Sequence, residues 1–155
     1  MAADRLMERI NAILTCEFSR PAKALEIAEA IREDGNYRWV GLYDVDYAAG
    51  MVANIAWSGP DAPAFPTFPI TKGLTSRAIA TKKTVNVGDV SSETSYLTAL
   101  DSTRSEIIVP VLDGDGDVVG TIDVESARVN AFDAASQQRL EEVARRFASF
   151  WLARG

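Results

Sequence analysis

Two apolar runs flank a cluster of turn-forming residues: Ser105-Glu106-Ile107-Ile108-Val109-Pro110-Val111-Leu112, then Asp113-Gly114-Asp115-Gly116-Asp117, then Val118-Val119-Gly120-Thr121-Ile122-Asp123-Val124-Glu125-Ser126. β-Branched residues on both sides of a Gly/Asp turn predict a β-hairpin. Two turns suit it, a type II′ turn on Gly114-Asp115 or a type I′ turn on Asp115-Gly116. In the first, opposed residue numbers sum to 229 and Glu106 faces Asp123; in the second they sum to 231 and Glu106 faces Glu125. In either register Glu106, Asp123 and Glu125 share a face with Ile108, Leu112 and Val119. Ile107, Val109, Val111, Val118, Ile122 and Val124 take the other face, so both sides of the hairpin are read as covered. Like charges opposed across strands destabilise a sheet, and a cationic partner or a water-filled cleft would relieve them. One reading is a pocket for an amine. The other is that this end of the hairpin reaches solvent, where acids cost little.

Composition narrows the chemistry. The chain of 155 residues, 47% hydrophobic, is long enough for a single domain over residues 1–155 with its own core. No apolar run is long enough to span a membrane, and no basic start leads into an apolar stretch, so the expected location is cytoplasmic. Cys16 is the only cysteine, which excludes an internal disulfide and any paired-cysteine metal or redox motif. Histidine is absent, which removes Ser-His and Cys-His triads and histidine-based zinc sites. A net charge of −6 argues against nucleic acid and anionic membranes as partners and leaves small molecules and proteins. No cofactor is expected.

Along the chain, Leu6, Ile10, Ile13 and Leu14 fall on one face of a helix from about Ala3 to Thr15. A second helix opens near Pro21 and ends near Gly35, with Leu25, Ile27, Ala28 and Ile31 among its apolar residues. Tyr37 to Val45 reads as a strand with Tyr37, Trp39 and Tyr43 on one side and Val40 and Leu42 on the other. Met51 to Trp57 is its antiparallel partner across Ala48-Ala49-Gly50. Four prolines between Pro60 and Pro69 mark a surface loop or an edge segment. A short helix from Gly73 to Ala80 and a short strand from Thr84 to Val87 follow, then a long polar loop, Asp89 to Ser102. After the hairpin, a terminal helix from about Asp133 carries Leu140, Val143, Ala144, Phe147, Phe150 and Trp151 in a stripe. The order predicts an α+β fold: a central antiparallel β-sheet flanked by helices, with the first and last helices packed together. The terminal Phe150-Trp151 pair is hard to bury under so little remaining chain, which predicts a homodimer through those helices.

Several motifs carry weaker chemistry. Counted from Asp113, the sixth and twelfth positions of a calcium loop would be Val118 and Val124 rather than Gly and an acid, so this segment is a turn and no metal is expected. Lys72-Gly73 before a helix lacks the spacing of a nucleotide-binding loop. Trp39 and Tyr43 could wall a cation, although aromatics at strand spacing more often fill a core. Cys16 reads as a small buried hydrophobe.

Trp39-Val40-Gly41-Leu42-Tyr43, Gly73-Leu74-Thr75-Ser76, Asp89-Val90, Ser105-Glu106-Ile107-Ile108-Val109-Pro110 and Gly120-Thr121-Ile122-Asp123-Val124-Glu125-Ser126 together resemble the GAF domain family. The resemblance covers nearly the whole chain. Within that family it is narrower toward the stand-alone GAF proteins that reduce free methionine-R-sulfoxide. It implies that Glu106, Asp123, Glu125 and Trp39 surround an ammonium and a sulfoxide, with Tyr43 and Thr75 completing the ligand-binding set. The second acid after the turn is usually Asp in those reductases, so Glu125 is longer by one methylene. Their three cysteines correspond here to Thr75, to residues around Val85, and to Ala99 or Leu100, and none of these is a cysteine. Reduction of a sulfoxide by thiols needs a nucleophilic sulfur. The resemblance therefore implies a module that binds an amine-bearing metabolite, such as a free amino acid or its oxidised form, and signals through a dimer. The alternative is an enzyme like the reductases with altered or absent chemistry.

Overall fold

The computed structural model describes residues 4–93, 96 and 99–153. Its elements run α1 (Arg5–Thr15), α2 (Arg20–Gly35), β1 (Trp39–Asp46), β2 (Met51–Ser58), β3 (Thr67–Pro69), α3 (Gly73–Thr81), β4 (Val85–Val87), a 3-10 turn (Val90–Ser92), β5 (Ser105–Leu112), β6 (Val118–Ser126), α4 (Ala134–Arg146) and α5 (Ala148–Leu152). Local chemistry sets the helix ends. Asp4, Ser19 and Asp133 each accept from a backbone N–H in the first turn of α1, α2 and α4, and Asn36 closes α2 at φ 53°. The proline-rich segment supplies β3, a three-residue edge strand on β2, within the range expected for it.

The strands form one six-stranded antiparallel sheet in the order β3-β2-β1-β6-β5-β4. One face packs Val40, Leu42, Ile107, Val109, Ile122 and Val124 against the apolar sides of α1, α2, α4 and α5. Leu6, Met7 and Ile10 of the first helix belong to the same core as Leu140, Val143 and Phe147 near the end of the chain, and Arg139 bridges to Asp4. The opposite face carries two smaller clusters, Trp39, Tyr43, Val45, Val52, Ala99, Leu100 and Val118 in one, and Ile108 with α3 and β4 in the other. Because the central strands are covered on both sides, their sequences read as continuous apolar runs.

Four expectations are corrected. A type II′ turn needs positive φ at Gly114 and a type I′ turn needs it at both Asp115 and Gly116, but in this turn only Gly116 has it, at 82°. The loop is closed by Gly116 N–H donating to the Asp113 carbonyl at 3.1 Å, and the Asp113 carboxylate accepts from the N–H groups of Asp115 and Asp117, both at 2.9 Å. Pairing follows the 231 register from Ser105 to Val111, then slips by one so that Leu112 faces Val118. That slip exchanges faces: Val118 packs beside Trp39 and Tyr43, and Val119 turns toward the helices. Tyr37 lies before β1 and joins the helical core through Phe132, its ring centroid 5.7 Å away, rather than the side of Trp39 and Tyr43. The terminal helix breaks at Phe147, and this kink folds α5 back onto the sheet, so Phe150 and Trp151 are 4% and 0% exposed. The pair is thus buried within the chain, and the aromatic seam inferred from it is not exposed.

Trp151 reaches so close because Gly120 has no side chain. Its indole N–H donates to the Tyr43 carbonyl at 3.1 Å, and a Cβ on Gly120 would overlap both that carbonyl and the indole ring. Gly120→Ala is therefore expected to destabilise the fold by about 1–3 kcal/mol, measured as a lower urea midpoint at unchanged slope.

Candidate functional site

Strand register assembles the site. Across the sheet, Val87, Glu106, Glu125 and Trp39 form one row, and Val85, Ile108, Asp123, Gly41 and Trp57 the next. The alternation of β6 points Thr121, Asp123 and Glu125 to the same side. Glu106, Asp123 and Glu125 each offer a carboxylate oxygen, and these atoms lie within 4.8 Å of one another. All three residues are buried, at 1%, 7% and 0% exposure, so the reading in which they reach solvent is overturned.

Their partners differ. Glu125 is held by the segment that crosses the sheet before β5: Thr103 Oγ1 donates to it at 2.5 Å and Ala99 N–H at 3.1 Å. Glu106 Oε1, Asp123 Oδ1 and Thr121 Oγ1 are buried with no hydrogen-bond partner. Burial, followed by the charges of Asp123 and Glu125, pushes the Glu106 carboxyl well above the ordinary carboxylate range. Burial is also the largest cause of the upward shift of Asp123, partly offset by a hydrogen bond with Glu106. The two groups thus keep a proton between them in preference to standing as adjacent buried anions. The Tyr43 phenol is likewise pushed up, by burial and then by the charges of Asp123, Glu125 and Glu106, and stays neutral.

Tyr43, Thr75 and Asp123 line one cavity of about 20 Å³ together with Phe65, Phe68 and Ala99. That is room for about one water. Tyr43 meets Phe68 edge-on at 5.8 Å. Trp39 does not line this cavity; it is fully buried beside the acids, packed over Gly41 and Gly59, with its N–H donating to the Asp61 carbonyl at 3.0 Å. The remaining acids, Glu106 and Glu125, stand next to the cavity in the same cluster rather than in its wall.

Sequence reasoning did not assign site roles to Thr121, Gly41 and Thr103, and it placed Ala99 only as a counterpart of a reductase cysteine. The first was open to it, because Thr121 shares the two-residue spacing of Asp123 and Glu125. Gly41 likewise sits midway between Trp39 and Tyr43, where any side chain would strike both rings. The Thr103 and Ala99 contacts arise from loop conformation, which leaves no periodic signal.

When ionised a carboxyl is acceptor-only, and Glu106 Oε1 and Asp123 Oδ1 lack donors. An ammonium group brings three N–H donors and a positive charge, which matches both needs. Calcium or magnesium would need six or more oxygens, and Glu125 already accepts from Thr103 and Ala99. The donor set therefore suits an ammonium better than a hard metal ion.

The model of the GAF domain family matches residues 22–150, and the chain belongs to that family. It is 28% identical to GAF domain-containing protein A of Dictyostelium discoideum over 140 residues, 90% of this chain and 86% of that protein. It is 34% identical to the free methionine-R-sulfoxide reductase of Saccharomyces cerevisiae over 74 residues, 48% of this chain and 41% of that protein. Among solved structures, the free methionine-R-sulfoxide reductase of Neisseria meningitidis, in complex with its substrate, superposes with a TM-score of 0.83 at 28% identity, covering 99% of this chain and 93% of the other.

The proton arrangement sets the sign of the pH dependence. Carboxyls of the unfolded chain ionise near about pH 4, whereas Glu106 and Asp123 hold protons above that in the fold. The native state then binds more protons than the unfolded one, so the stability of the ligand-free protein falls as pH rises from about 4 through the raised values. Glu106→Gln is expected to flatten this slope, and Asp123→Asn to leave the ligand-free protein as stable or slightly more stable at neutral pH. Glu125→Ala should behave oppositely, costing about 1–3 kcal/mol because Thr103 and Ala99 lose their acceptor. Urea unfolding over a pH series reads all three.

Proposed function

We propose that this GAF domain binds a small metabolite carrying a primary amine, a free amino acid or its oxidised form, between the carboxylates of Glu106 and Asp123. The observation that carries this reading is the pair of buried carboxylate oxygens without donors. An unsatisfied buried acceptor costs about 1–3 kcal/mol, and a ligand that supplies the donors recovers it on binding. Glu125, already bonded to Ala99 and Thr103, anchors the segment that closes the cavity. Admission of an amino acid requires that segment to move, since the cavity of about 20 Å³ is too small for one.

The same geometry disfavours a thiol reductase. The one cysteine, Cys16, caps α1, and its thiol donates to the Ile13 carbonyl at 2.9 Å. Its helix packs in the core on the opposite face of the sheet from Glu106 and Asp123. Thr75, which the resemblance aligns with a cysteine of the reductases, lines the cavity, and a threonine hydroxyl cannot end as a disulfide.

Thermal denaturation with free amino acids, methionine sulfoxide among them, tests the binding. A ligand at about 100 times its dissociation constant adds roughly 2.7 kcal/mol. Asp123→Asn is expected to weaken that ligand by about one to two decades, and an amine-free analogue of equal size should not stabilise the protein. Stabilisation by calcium or magnesium chloride alone would move the site to a metal. Turnover of methionine sulfoxide with dithiothreitol is expected to be absent; turnover that survives Cys16→Ser would refute the assignment to a binding module.

A further inference from the structure

At the end of the sheet where β1 begins and β6 ends, a concavity of about 590 Å³ opens between the end of α2 and the start of α4. Three arginines line it, Arg32, Arg38 and Arg128, and no aspartate or glutamate does. This is unexpected in a chain of net charge −6. Among the described residues none of the three is in an ion pair. Arg32 Nε donates to the Arg38 carbonyl at 3.1 Å and Arg38 Nη2 to Ser102 Oγ at 3.0 Å, so both bond only to neutral groups and keep donors to spare. Of the neighbouring acids, Asp34 and Asp4 hold Arg139, Glu33 pairs with Arg9 and Asp133 caps α4 through Ser136 N–H, while Glu29 lines the adjoining concavity beside Arg32. Arg32 also lies in the last turn of α2, where a cation complements the helix dipole. That accounts for one of the three arginines, and neither Arg38 nor Arg128 is in a helix.

Three guanidinium groups facing one concavity repel unless an anion joins them. Guanidinium presents paired N–H donors in a plane that matches phosphate oxygens. Hydroxyls of Ser126, Ser136 and Tyr37 line the same wall, and burial keeps the Tyr37 phenol protonated and able to donate. Tyr37, half-buried and paired with the core residue Phe132, adds an aromatic surface. We propose that this concavity is a second ligand site, distinct from the acid cluster, that takes a phosphate monoester with an organic body. The dianionic head sits among Arg32, Arg38 and Arg128, and the body lies against Tyr37 and the exposed edge of Phe132.

The test is calorimetric titration of the full chain with phenyl phosphate, inorganic phosphate, benzoate and chloride at matched ionic strength. Phenyl phosphate is expected to bind most tightly, inorganic phosphate next, and chloride not measurably. Arg128→Ser and Arg32→Gln should each weaken phenyl phosphate about tenfold, and Arg32→Lys, which keeps the charge but not the paired donors, should also weaken it. Arg128→Ser should unfold at the wild-type urea concentration, and the Arg32 variants only slightly below it, since Arg32 also complements the α2 dipole and holds the Arg38 carbonyl. Asp123→Asn should leave phosphate binding unchanged, so this proposal and the amine reading stand or fall separately. Equal binding of benzoate, unchanged affinity in the Arg32→Gln/Arg128→Ser double variant, or saturation only where chloride also saturates, which is an adventitious ion only, each overturns the proposal.

Discussion

Everything at the candidate site depends on the register between β5 and β6. Side chains alternate along a strand, so a slip of one residue would carry Glu106 from the cavity side to the helical side, in exchange for Ile107. The Asp113 carboxylate, accepting two backbone N–H groups, and Gly116 at positive φ fix the turn. The bulge between Val111 and Leu112 absorbs the loop length that this turn imposes. The turn thereby decides that three acids meet one another at the far end of the hairpin. Pairing of β6 with β1 then brings Gly41, which lacks a side chain, opposite Asp123.

The cluster stores unfavourable free energy that the surroundings offset only in part. Glu125 is compensated by a hydroxyl and a backbone N–H, while Glu106 and Asp123 are left to share a proton. Apolar packing on the helical face carries the stability that allows such a cluster. Trp151, Phe147 and the isoleucines of α1 and α2 are almost wholly excluded from solvent there. Binding sites commonly sit where local satisfaction has been given up in this way.

The antiparallel sheet, its flanking helices and the convergence of the three acids were legible because each rests on a period. Alternation marked β1 and β2, β-branched runs on either side of a Gly/Asp turn marked the hairpin, and apolar spacing with Pro21 and Gly35 marked the helices. What escaped was non-periodic. A turn of five residues containing two glycines admits several closures, and only the three-dimensional path selects the one with positive φ at Gly116 alone. The faces of Val118 and Val119 followed from that choice. Phe150 and Trp151 looked exposed because a continuous helix would have carried them past the sheet; the break at Phe147 folds them inward instead. Glu125 was placed with the other acids correctly, but its bonds to Ala99 and Thr103 depend on a loop whose path no spacing encodes.

The three tryptophans are distributed over both faces of the sheet, and this gives the molecule built-in optical probes. Trp39 lies beside the acids with its indole N–H on the Asp61 carbonyl, and Trp57 is half-buried in the row of Gly41 and Asp123. Trp151 is on the helical side, its N–H on the carbonyl of Tyr43, whose ring walls the cavity. The two buried indoles thus have different hydrogen-bond acceptors, and the third lies in a half-buried setting of different polarity. Their emission and their indole proton resonances separate events at the cavity from events in the helical core without any added label.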